Sequence, residues 1–99
     1  MNNLFELIIS FAKRLELDYA FIKKSDDETT SYIIVFKSNI DESDLSLDED
    51  SMQIQLDIEN GVAKEPYLHL DTDIALTLTF ESLNQLNQML TELKRFANE

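Results

Sequence analysis

Met52, Ile54, Leu56 and Ile58 alternate without a fault with Gln53, Gln55, Asp57 and Glu59, and Asn60-Gly61 follows at once. A period of two predicts a half-buried strand. Asn-Gly after such a strand is the strongest short-range signal for a two-residue type I′ hairpin turn. The chain is therefore committed to an antiparallel hairpin with one apolar face, which other elements must cover. A two-residue loop also fixes the register. It sets Asp57 opposite Lys64, a favourable cross-strand pair, and Glu65 opposite Leu56, a poor match. Pro66 then marks an edge strand or a break. Tyr67 to Leu70 resumes extended structure, and Asp71-Thr72-Asp73 reads as a turn or bulge.

The cover comes from the two ends of the chain. In the last quarter, Ile74, Leu76, Leu78 and Phe80 alternate with Ala75, Thr77 and Thr79, which predicts a final strand. The period then changes to helical: Leu83, Leu86, Met89, Leu90, Leu93, Phe96 and Ala97 cover an arc of roughly 140° at about 100° per residue. Ser82 and Gln85 have the spacing of a capping box. Lys94 and Arg95 fall in the last turn, where the helix dipole favours cations. At the other end, Asn3 and Glu6 open a helix running to about Glu16. Its apolar residues span roughly 200°, wider than the stripe of a little over about 100° that one sheet face requires. The excess assigns this helix two neighbours: the sheet, and either the C-terminal helix or a second subunit through Phe5 and Ile9.

Tyr19 to Lys24 reads as a short strand, Ser25 to Thr30 as a polar loop, and Tyr32 to Lys37 as the partner strand of a hairpin. The second of these strands is apolar on both faces, as a central strand is, or one whose outer face a partner covers. Asn39 to Ser51 has six acids, no base and no period, and reads as an exposed acidic loop anchored by Leu45 and Leu47. The expected fold is a single α+β domain over residues 1–99. It is a two-layer sandwich: an antiparallel sheet of four or five strands with an N-terminal and a C-terminal helix on one face.

Ninety-nine residues suit one domain. The absence of cysteine excludes disulfides and thiolate metal sites and fits a reducing cytosol. Apolar runs are too short to span a bilayer, and the N-terminus lacks the basic region of a signal peptide. The charge is the informative quantity. Eight basic residues face 20 acidic ones, net −12. Residues 41–73 hold eleven of the acids against Lys64 alone, so that segment carries −10 and the remainder only −2. Such a field repels nucleic acid and anionic membranes and steers towards basic partners.

Chemistry-bearing patterns are weak. The one histidine, His69, lies between Leu68 and Leu70 with no triad or zinc-site spacing around it. Asp41, Asp44, Asp48 and Asp50 crowd one loop, but Ser43, Leu45 and Ser46 stand where an EF-hand needs acids and glycine. A single glycine excludes a Gly-rich phosphate loop. No catalytic residue, metal or cofactor is expected. What remains is the acid array: Asp41, Glu42, Asp44, Asp48, Glu49 and Asp50 in the loop, with Asp57 and Glu59 projecting from one strand face about 6.6–6.8 Å apart. A rigid face of this kind imitates a phosphate backbone. The expected partner is a basic, nucleic-acid-binding protein, with no direct contact to nucleic acid or membrane.

In size, charge and two-layer pattern the chain resembles the small acidic phage-encoded inhibitors of restriction or CRISPR nucleases, and the immunity proteins that neutralise nuclease toxins. The resemblance implies a non-enzymatic, cytoplasmic inhibitor that blocks a basic groove. The helix–strand–strand opening and the helical close are also similar to type III secretion chaperones, although residues 39–51 read as loop where those proteins have a central helix. That second resemblance implies a homodimeric adaptor holding a partner segment through apolar surface.

Overall fold

The computed structural model describes residues 3–38, 40 and 51–97. The elements run α1 (Asn3–Leu15), β1 (Asp18–Ser25), β2 (Thr29–Lys37), β3 (Ser51–Glu59), β4 (Val62–Ala63), β5 (Tyr67–Leu70), α2 (Thr72–Ala75) and α3 (Phe80–Ala97). All strand pairings are antiparallel, in the order β1-β2-β3, with β4 and β5 sharing the far side of β3. Ile34, Phe36, Met52, Ile54 and Leu56 line one face and join Leu4, Ile8 and Phe11 of α1 and Leu86, Met89 and Leu93 of α3 in a single core. The architecture is the α+β sheet with terminal helices on one face that the hydrophobic pattern predicts.

α1 stops by backbone geometry. Glu16 adopts φ 57, and its N–H bonds to the Lys13 carbonyl while that of Leu17 bonds to the Ala12 carbonyl. This is a Schellman cap with glutamate where glycine is usual. The left-handed conformation costs a residue with a Cβ about 1 kcal/mol, so Glu16→Gly should stabilise the domain by roughly 0.5–1 kcal/mol in urea unfolding.

The Asn60-Gly61 turn has φ 52 and 78, the two positive values of a type I′ turn. Glu59 pairs with Val62 and Ile58 with Ala63, and the Lys64 N–H donates to the Asp57 carbonyl. Further along the same edge, however, Gln55 pairs with Tyr67 and Met52 with Leu70. The two registers differ by one residue, so Glu65 and Pro66 together oppose Leu56. This bulge leaves Glu65 exposed at the sheet edge, with its carboxylate 3.8 Å from Lys94 Nζ of α3. It also turns Leu68 and Leu70 to the helix side and Tyr67 and His69 to the outer side. Deleting Glu65 merely removes the extra residue and leaves both registers intact. The change should cost less than about 1 kcal/mol by denaturant midpoint, since the Lys94–Glu65 pair it breaks spans 3.8 Å at an exposed site.

Two expectations fail in the last quarter. Ile74 to Phe80 forms no strand. The Asp71 carboxylate accepts from the Asp73 N–H (3.1 Å) and caps α2 instead. Ile74 is buried and Leu78 half-buried at helical spacing, whereas Leu76 and Phe80 are 80% and 88% exposed. The capping box at Ser82 and Gln85 is also displaced. α3 begins at Phe80, and Thr79 Oγ1 accepts from the Ser82 N–H (3.2 Å). Gln85 serves the helix–helix seam, where its Oε1 accepts from Arg14 Nε (2.9 Å) and its Nε2 donates to Ser10 (2.9 Å).

Candidate functional site

β2 runs antiparallel to β3 with Thr29 opposite Glu59 and Ser31 opposite Asp57. That register brings the β1–β2 turn, Asp26-Asp27-Glu28, beside the end of β3, where the Asn60 N–H donates to the Glu28 carbonyl (2.9 Å). Five acids (Asp26, Asp27, Glu28, Asp57, Glu59) thus gather at one end of the sheet, with Lys24 and Lys64 as neighbouring cations. The turn acids lie outside the −10 segment, and composition alone did not single them out. The signal that finds them is the hairpin register itself: strands paired antiparallel put the start of β2 and the end of β3 at one place.

Asp57 is the best-anchored member. Its Oδ1 accepts from Ser31 Oγ (2.6 Å) and from Gln55 Nε2 (2.8 Å). Gln55 Oε1 in turn accepts from Gln53 Nε2 (3.1 Å). The result is a hydrogen-bonded row along the outer face whose donors all point towards one carboxylate. The row holds the carboxylate in place without cancelling its charge. Across from Gln55, the Tyr67 phenol is raised above its ordinary value of 10.0, by partial desolvation and then by the negative charge of Asp57.

Glu59 is exposed, and Lys64 Nζ lies 3.5 Å from its Oε2. The expected Asp57–Lys64 side-chain pair is therefore replaced by a diagonal one, although the backbone register opposes those two residues as the turn requires. Asp41, Glu42, Asp44, Asp48, Glu49 and Asp50 lie outside the described residues, as do Leu45 and Leu47.

The residues expected at a dimer face are partly engaged. Phe5 meets Phe21 edge-on at 5.3 Å and Phe96 at 6.2 Å, and Tyr32 closes the cluster against Phe96 at 5.6 Å. α1 therefore does have two neighbours, the sheet and α3. Ile9 remains 43% exposed and lines a cleft of about 590 Å³ with Tyr19 and Ala20. A second apolar feature, unforeseen from the pattern, stands at the start of α3, where Phe80 and Leu83 lie one turn apart and both reach solvent.

His69 sits exposed on β5 opposite Gln53. Among the described residues no group of three or more His, Cys, Asp or Glu is placed to hold a metal ion, and no helix is long and apolar enough to cross a membrane. Fold and site together define a small α+β domain with an acidic sheet end and partly uncovered apolar positions. No family model, curated protein or solved structure matches this chain.

Proposed function

We propose that the protein is a small non-enzymatic inhibitor that seats the acidic end of its sheet in the basic groove of a nucleic-acid-binding protein. The observation that carries this reading is the convergence of the Asp26–Glu28 turn on Asp57 and Glu59, with Asp57 fixed by Ser31 and Gln55. Carboxylates held on a rigid sheet lose little conformational freedom on binding, so their charge is available for recognition and for fast, steered association. Residues 41–50 run between Lys37 and Ser51, which pair at the opposite end of β2–β3 from Thr29 and Glu59, so the proposal rests on the five acids of the sheet end. Capture from a host lysate at low and at high salt tests it. Basic nucleic-acid-binding proteins should be retained at about 0.1 M salt and released near 1 M, as the screening length falls from about 10 Å to about 3 Å. A set of bound proteins that is neutral, or indifferent to salt, overturns the proposal.

The exposure of Leu76 and Phe80 favours a second reading, an adaptor that holds a partner segment on apolar surface. Under that reading capture survives high salt and is lost in Phe80→Ser.

A further inference from the structure

The two edges of the sheet are built differently. The β4/β5 edge is blunted by two short strands, a bulge and Pro66, which are ordinary protections against strand addition. β1 has none of them. It pairs with β2 in one unbroken register over eight residues, Asp18 opposite Lys37 through Ser25 opposite Thr30, and among the described residues no strand pairs with its other side.

The phase of the ladder shows what that edge presents. The Asp26 N–H bonds to the Thr29 carbonyl. Since hydrogen-bonded pairs alternate along an antiparallel ladder, Ala20, Ile22 and Lys24 direct their backbone groups to β2. Tyr19, Phe21 and Lys23 direct theirs outward.

We propose that β1 pairs with β1 of a second copy of this chain, antiparallel about a two-fold axis through Phe21. In that register Phe21 meets Phe21, and Tyr19 meets Lys23 in both directions. These are the residues whose N–H and C=O groups face out, so each pair exchanges both bonds. The same register sets Ala20 against Ile22 on the outer face and, twice by symmetry, Asp18 against Lys24. Slipping by one residue would oppose side chains from opposite faces, and slipping by two would set Lys24 against Ala20. Charge complementarity therefore selects the pairing centred on Phe21. Asp18 and Lys24 are both exposed, with the Asp18 Oδ2 receiving only a long 3.4 Å contact from the Ile40 N–H among the described residues. On the helix side the exposed parts of Phe5, Ile9 and Tyr19 border the edge, and the Phe5–Phe21–Phe96 cluster continues across the axis.

Asp18→Lys and Lys24→Asp, made singly, place like charges opposite one another twice in each dimer and should weaken association roughly tenfold or more. An equimolar mixture of the two variants restores both opposite-charge pairs in the heterodimer. Sedimentation should then show wild-type dimer, weakened single variants and a rescued mixture. Amide exchange at Tyr19, Phe21 and Lys23 should slow as wild-type concentration rises, while Ala20, Ile22 and Lys24 stay unchanged. A wild type that remains monomeric at millimolar concentration overturns the proposal. So does a dimer indifferent to both charge changes, or one whose formation leaves the three outward amides unprotected, because another surface then joins the copies.

Discussion

Phe36→Ala should lower stability by about 3–5 kcal/mol and bring the domain close to unfolding, since domains of this kind are stable by only about 5–15 kcal/mol. Phe36 has no exposed surface. It sits on the central strand between Tyr19 on β1 and Met52 on β3, and its ring tilts against Phe11 of α1 at 5.1 Å. Truncation therefore removes one side of the contact joining helix layer to sheet, and the backbone pairs on both flanks prevent the space from collapsing. With a urea slope of about 1–3 kcal/mol per molar, the midpoint should fall by roughly 2 M. Phe80→Ala removes the same atoms at a site 88% exposed and should shift stability by no more than about 0.5 kcal/mol. Equal losses in the two variants would mean that the apolar layer does not lie where Phe36 and Phe11 meet.

That contrast also shows which parts of the fold the chain declares locally. The register of β3 and its turn was legible because Met52–Glu59 and Asn60-Gly61 carry both face and turn geometry within ten residues. Phe80 misled for the opposite reason. The alternation from Ile74 to Phe80 fits a strand, but Ile74 and Leu78 are also one helical turn apart. The Asp71 cap and the burial of Ile74 in the shared core decide for the helix. The bulge was half legible: Glu65 opposite Leu56 was visibly wrong, and relief by one extra residue requires knowing that Tyr67–Leu70 pairs with the same strand. The acidic site divides along the same line. Asp57 and Glu59 follow from strand period, whereas their meeting with Asp26, Asp27 and Glu28 depends on the long-range pairing of β2 with β3.

Replacing Asp26, Asp27, Asp57 with Asn and Glu28, Glu59 with Gln should reduce the association rate for a basic partner by about a hundredfold at low salt. Steered association reaches about 10⁸–10⁹ M⁻¹s⁻¹ and falls to about 10⁵–10⁶ without complementary charge; removing one face of the field takes back part of that range. The variant should fold normally. Asn at position 57 keeps a carbonyl oxygen for Ser31 and Gln55, and the Glu59–Lys64 pair spans 3.5 Å in an exposed setting, where such pairs contribute about 0–1 kcal/mol. Net charge alone would also slow association, so the control neutralises the same number of acids in the helix layer: Glu6, Glu16, Asp73, Glu81 and Glu92. Stopped-flow rates across a salt series separate the two causes. If the acidic sheet end is the contact, the first variant loses both rate and salt dependence while the second keeps most of each. Equal slowing by the two variants would show that the partner responds to the total of −12 and not to a face. The surface reading would then fail even if a basic partner is captured.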